Sequence, residues 1–402
     1  MQDSLDHDLQ TRLSALSSTL IDLSHRIHAN PELAFNELMA SKWTSDILEK
    51  AQFTLRRNVA GMETAFIASK GSGDLHVVIC AEFDALPEIG HACGHNIIAS
   101  AAIGAALLLA PLLDDLKVRL SVFGTPAEEA GGGKILMLDA GLFEDVDLAM
   151  MVHPAPGELD RMPCVAAQHL EVEFLGKAAH AAAFPDLGIN ALDAMTISQV
   201  AIGLLRQSMH NGEMVHGIIT HGGDAPNIIP ARTSARYIAR ANTLGELINF
   251  IPRIKACFEG GSVATKASLN FIEKYSPYSE FITDETLASI YRAESLKIQR
   301  PVDTDSGNNL LKASTDMANV SMSIPSIHPM LGIESLPAVN HQPEFTRACI
   351  LPPADKAVLD AAINMARVTV KVAQTPEIRK EFANGAKRRL LRAQVEKQYP
   401  TK

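Results

Sequence analysis

Between residues 75 and 152 the chain alternates short apolar runs with helix-length segments, and that order leaves few folds open. Residues 75–81 (LHVVICA) are mainly apolar and of strand length, as expected for a strand covered on both faces. Residues 96–113 are rich in Ala, Leu and Ile over a helical length, 118–123 alternate like a strand, 133–139 open another helix, and 146–152 form a third apolar strand. Strand, helix, strand, helix, strand predicts an α/β fold with a mainly parallel sheet and helices on its faces. Upstream, Leu13, Leu16, Leu20, Leu23 and Ile27 recur at helical spacing. That helix is expected to stop near Asn30-Pro31, because the residue before proline avoids the helical region.

Polar residues gather where these strands end: Glu82-Phe83-Asp84 after the first, Glu128-Glu129 after the second and His153 after the third. In open α/β sheets, sites form beyond the carboxyl ends of the strands, so the three tips are expected to share a pocket. Past residue 167 the texture changes. Residues 168–176 alternate, 191–209 are helix-like, 215–222 and 234–240 read as strands, 244–258 as a helix and 264–271 as a strand. That β-α-β-β-α-β order is the split two-layer arrangement of a ferredoxin-like domain. The expected organisation is a catalytic domain over 1–166 and 275–402, interrupted by an α+β domain over 167–274, with closing helices at 355–373 and 376–397. Two domains suit a chain of 402 residues.

Charge and cysteine usage narrow the partners. A formal charge of −10 argues against nucleic acid and against an anionic membrane surface. The acidic, polar start is unlike a secretory signal, and the apolar stretch 101–113 is too short to span a bilayer. Cys80, Cys93, Cys164, Cys257 and Cys349 are odd in number and scattered, which fits a reducing, cytoplasmic setting.

The densest chemical cluster is His91-Ala92-Cys93-Gly94-His95. Thiolate and imidazole on one glycine-containing loop suit a borderline metal such as zinc; a loop that happens to hold two histidines and a buried cysteine is an equal reading. Glu128-Glu129 tips the balance. Adjacent carboxylates point apart, so one can hold an ion while the other deprotonates water. A solvated acidic helix start is the bland reading of such a pair. The flanking Gly-Thr-Pro and Gly-Gly-Gly instead predict a tight loop at a strand tip. His153 and His341 are weak candidates alone, and His328 rivals His341. A thiol hydrolase using Cys93 would leave Glu128, Glu129, His153 and His341 without a task. A non-catalytic binding protein is the remaining rival, and it would be expected to have lost the base or a ligand.

With those residues in place, the sequence resembles the M20 metallopeptidase family, in the amidohydrolase branch that holds aminobenzoyl-glutamate hydrolase, N-acyl-amino-acid hydrolases and a dipeptidase. The segments that carry the resemblance are HANPELAFNE (28–37), AEFDALPEIGHACGHN (81–96), GTPAEEAGGGK (124–134), MVHPAP (151–156), GKAAHAAAFPDLGINALDA (176–194), GGDAPNIIPARTSARYIAR (222–240), ASTDMANVS (313–321) and NHQPEF (340–345). The resemblance implies two divalent metal ions, zinc first, with manganese, cobalt or nickel as substitutes. It assigns Cys93, His95, Glu129, His153 and His341 to the five ligands, Glu128 to the general base and Asp84 to a carboxylate that orients a ligand. It assigns His180 to a histidine that reaches a partner subunit's site, and Asn227 and Arg240 to the grip on a substrate carboxylate. The inserted domain is then a dimerisation and lid domain, and the implied protein is a homodimer that cleaves a small-molecule amide with a free carboxylate.

Overall fold

The leucine spacing of the N-terminal segment produces a helix over Gln2–Ala29 that buries Leu9, Leu13, Leu20, Leu23 and Ile27. It ends two residues before Pro31. The computed structural model describes residues 2–302, 313–385 and 387. In chain order the strands are β1 (Thr54–Arg57), β2 (Phe66–Lys70), β3 (Leu75–Glu82), β4 (Val118–Thr125), β5 (Leu148–Met150), β6 (His153–Ala155), β7 (Ala166–Leu175), β8 (Met214–His221), β9 (Arg232–Ala241), β10 (Ser268–Glu273), β11 (Ser326–Ile327) and β12 (Met330–Gly332).

The contacts divide the chain into two units. The first runs to Pro163 and resumes at Phe281. Its six-stranded sheet has the order β1-β2-β4-β3-β5-β11. β3 pairs parallel with β4 and β5, and β5 pairs parallel with β11. β1 and β2 add an antiparallel edge that the apolar pattern did not reveal. Every residue of β3 is buried, as its apolar run requires for a central strand. Because Glu82 pairs with Thr125, the segments leaving β3 and β4 emerge from the same edge of the sheet.

Two expectations need correction here. The strand expected over 146–152 is only Leu148–Met150; the chain then leaves the main sheet, and His153–Ala155 pairs parallel with β12. Pro154, lacking an N–H, sits in that short side ladder instead of extending the main one. The apolar stretch near residue 101 belongs to a continuous helical run, His95–Leu116, that by length and composition could cross a membrane. Length therefore does not decide the matter. Most of that run is buried, packed with the first helix and with Pro352–Gln374, which makes it a core helix of this unit. A last helix, Pro376–Phe382, ends before Asn384, which takes a left-handed φ of 61°. Most of the stretch expected to continue it to 397 lies outside the described residues.

The second unit is Cys164–Glu280. Its limits lie outside the expected 167 and 274 because Tyr278 bridges back to Ala167 on β7. An antiparallel sheet of order β10-β7-β9-β8 packs against helices Ala191–Leu205 and Leu244–Thr265. Asn190 and Thr243 cap those helices, accepting from Leu192 N–H and Asp193 N–H, and from Glu246 N–H. Along β7, buried Leu170, Val172 and Phe174 alternate with less buried neighbours and join Tyr237, Phe250 and Phe258 in the core of this unit.

Candidate active site

Three tips of the first unit's strands converge. Asp84 follows β3 and is buried; its Oδ1 lies 3.0 Å from His95 Nδ1, and its Oδ2 accepts the Glu129 N–H at 3.0 Å. Cys93 and His95 sit where the loop after β3 turns into the core helix. Gly94, at φ 74°, makes that turn, and a Cβ there would lie 2.5 Å from Pro154 Cγ. A side chain at 94 would thus push the 91–95 loop away from His153-Pro154.

Ligand atoms of Cys93, His95 and His153 all lie within 4.8 Å of one another, and so do those of Cys93, Glu129 and His341. Cys93 is common to both of these triplets, and His95, Glu128 and Glu129 form another within the same distance. The tautomers suit metal binding. His95 Nδ1 is taken up by Asp84, so its Nε2 is the atom that faces the cluster; it is buried, makes no hydrogen bond and stands 3.5 Å from Glu82 Oε2. Glu129 Oε1 is likewise buried and lies 4.0 Å from that nitrogen. The His153 Nδ1–H donates to Pro154 O at 2.8 Å, which leaves Nε2 as its lone-pair nitrogen. His341 Nε2 stands 3.7 Å from Glu129 Oε1. The rival His328 is buried with its ring 5.6 Å from that of His153, but belongs to neither triplet. Thiol, imidazole and carboxylate ligand atoms gathered this closely, buried except at His341, fit two cations, because desolvated lone pairs of this kind need an ion or a hydrogen-bond donor.

Burial and then the neighbouring Glu129 carboxylate push the Cys93 thiol well above its usual range. A nucleophilic thiol needs the opposite, electropositive surroundings, so the thiol-hydrolase reading loses its basis; a cation is what would draw the thiolate out. Burial opposes charge on His95, but Asp84, Glu82 and Glu129 together outweigh it and raise the imidazole well above its usual range. Glu128 is also raised well above the carboxylate range, by burial first and then by Glu82 and Glu129. Its carboxylate reaches within 4.0 Å of His95 Nε2.

Beside it stands an ion network that the sequence did not reveal. Lys134, fully buried at the start of helix Gly133–Asp139, binds Glu82 and, at 2.6 Å, Asp316. Oxygens of Glu82, Glu128 and Asp316 also cluster within 4.8 Å, but the Lys134 ammonium already compensates two of them. A lone lysine opening an otherwise apolar helix (GGGKILML) was the available signal.

His180, Asn227 and Arg240 belong to the second unit and are placed within it. His180 bridges to Ile228, and Asn227 O accepts the Ala181 N–H at 3.0 Å, so these two share one exposed ladder. His180 Nδ1 accepts from Ala182 N–H and Ala183 N–H, which leaves Nε2–H as its donor. Arg240 is on β9, partly buried, near His169 and His216.

A model of the peptidase dimerisation domain of the M20 type matches residues 167–264. The chain is 36% identical to a mouse Xaa-Arg dipeptidase over 391 residues, covering 92% of this chain and 90% of that one. It is 33% identical to one of the p-aminobenzoyl-glutamate hydrolase subunits of Escherichia coli, over 62% of this chain and 56% of that one. Among solved structures, a dinuclear metal-binding peptidase of the M20 family from Bacillus subtilis superposes with a TM-score of 0.64 at 21% identity, over 90% of this chain and 99% of that one.

Proposed function

The chain belongs to the M20 family of amide-bond hydrolases, and on that premise we propose that it uses two divalent metal ions to cleave N-acyl amino acids or dipeptide-like amides that carry a free carboxylate. The observation that carries the reading is Cys93, whose sulfur belongs to both ligand triplets while Glu128 stands beside them. Cys93, His95 and His153 would hold one ion, and Cys93, Glu129 and His341 the other. Thiolate, imidazole and carboxylate together favour zinc, with manganese, cobalt or nickel able to replace it. Bound there, the ions polarise the amide carbonyl and acidify water.

The chain's own residues do the rest. Glu128 takes the proton from the attacking water and delivers it to the leaving nitrogen; its carboxylate stands within 4.0 Å of His95 Nε2, beside the ligand atoms. Asp84 fixes His95 and the Glu129 backbone together. His180 donates through Nε2–H to the oxyanion of a partner subunit's substrate, and Asn227 and Arg240 grip the carboxylate. A homodimer built through the 167–264 region supplies that partner. In support, β8 is an edge strand carrying exposed Ile218, and helix Ala191–Leu205 exposes Val200 and Leu204, apolar surface that a second copy would cover. Residues 164–280 then act as one dimerisation and lid domain inserted into the catalytic one. All five cysteines are free, which supports placement in the cytoplasm.

Within the substrate class, the 36% likeness to a Xaa-Arg dipeptidase favours dipeptides ending in a basic residue over aromatic acyl-glutamates. Glu128→Gln tests the mechanism: we expect both metals retained and turnover lower by roughly 10²- to 10⁴-fold. Near-normal turnover would remove Glu128 as the base. A panel of dipeptides, N-acyl amino acids and aminobenzoyl-glutamate, assayed on the same metal-loaded preparation, ranks the substrates.

A further inference from the structure

Glu37 is the first residue before helix Leu38–Lys50, where an acidic side chain ordinarily caps the helix, yet its carboxylate makes no capping bond. It turns back into the protein and is wholly buried. Oε1 accepts the Phe35 N–H and the Ala127 N–H, each at 2.9 Å, and Oε2 accepts the Thr64 hydroxyl at 2.8 Å. Ala127 immediately precedes Glu128. It stands at φ 59°, a left-handed conformation that alanine rarely adopts and that persists only when its surroundings enforce it. The Phe35 ring lies against the same loop at Gly131, where an added Cβ would stand 2.4 Å from Phe35 Cε2. Two buried carboxylates therefore hold the two peptide N–H groups that flank Glu128, Glu37 at Ala127 and Asp84 at Glu129.

We propose that Glu37 is a positioning residue for the general base: its carboxylate fixes the left-handed turn at Ala127 and thereby aims the Glu128 side chain, while Asp84 separately holds the ligand Glu129. The inference rests on the reading of Glu128 as base. Its essential group is an acceptor for the Ala127 N–H. A glutamine at 37 could still accept from Phe35 N–H and Ala127 N–H through its amide oxygen while its NH₂ faces Thr64. A methionine of similar volume could not.

The test compares Glu37→Met, Glu37→Gln and Glu128→Gln, each metal-loaded, for kcat, KM and metal content. We expect Glu37→Met to lower kcat by roughly 10- to 100-fold, the scale of a misplaced catalytic group, with KM and two metals per chain preserved. Glu37→Gln should restore most of kcat. A residue needed only for folding would move the melting temperature without this split in kinetics. If Glu37→Met does not fold, Glu37→Asp, which withdraws the carboxylate by one methylene, is expected to show the same fall in kcat at full metal content. Parental kcat in the folded Met or Asp variant, beside an inactive Glu128→Gln, overturns the inference alone. A loss of kcat that tracks loss of metal overturns it as well. An active Glu128→Gln overturns the base reading and this inference together.

Discussion

Asp84 and His95 form a fully buried pair in which one carboxylate oxygen meets the imidazole Nδ1 at 3.0 Å while the other accepts the Glu129 N–H. One side chain thus sets the orientation of a histidine from the core helix and the backbone of a carboxylate from the loop after β4. Both also lie with Glu128 in one further cluster, so Asp84 holds two of its three members.

Replacing Asp84 by Asn keeps the shape but removes the charge that turns His95 Nε2 into a strong donor. We expect metal affinity to fall by roughly 10- to 100-fold, the usual cost of losing such a partner. Chelator competition measures it. Excess metal should restore part of the activity, and unchanged affinity would show that His95 is oriented without Asp84.

Cys93 belongs to both triplets, so Cys93→Ser is expected to weaken both ions, whereas loss of His153 or His341 should weaken chiefly one. Elemental analysis of the purified variant reads this directly. Two metals per chain in Cys93→Ser would mean that the sulfur is not shared.

How much of this was legible in the sequence follows from how local each signal is. Cys93, His95, Glu128 and Glu129 stand in short, contiguous motifs at the ends of apolar strands, and strand tips of a parallel sheet meet by construction. Glu37 carried no such signal, because an acidic residue before a helix has a simpler local explanation that only coordinates can remove. Glu82 and Asp316, far apart in the chain, are brought together around Lys134 only by the fold. The β1–β2 edge is short and mostly polar, too weak a pattern to separate from a loop. The apolar run 146–152 carries no sign that its strand breaks after Met150, and the move of His153 into a side ladder depends on β12, far along the chain.

Arg240→Ala addresses the substrate carboxylate. If the guanidinium binds that group equally in ground and transition states, KM rises and kcat holds. A lost charged hydrogen bond of about 1.5–3 kcal/mol corresponds to a roughly 10- to 100-fold increase in KM. Amide substrates lacking the free carboxylate should not distinguish the variant from the parent. Steady-state kinetics on such a matched substrate pair checks both points, and equal KM values for the acid substrate would take Arg240 out of the site.

Acid stability is expected to report on His76, which lies away from the ligands at the start of β3. Its Nδ1 faces the Arg119 guanidinium at 2.8 Å, its Nε2 meets Ser121 Oγ at 2.8 Å, and its N–H donates to Asp147. Burial, then Arg119, pushes its pKa down from 6.5 to about 4. The unfolded chain therefore binds a proton at 76 that the folded chain refuses anywhere between those two values. Stability must rise with pH across that window, so this contribution is intact above 6.5, fades as the pH falls, and is fully lost below about 4. The shift caps the effect at about 3 kcal/mol. Urea unfolding at stepped pH should give a steeper loss of stability for the parent than for His76→Gln, which keeps polar groups at 76 but cannot take up the proton. Parallel curves for the two proteins across that range would mean that His76 titrates alike in the folded and unfolded chain.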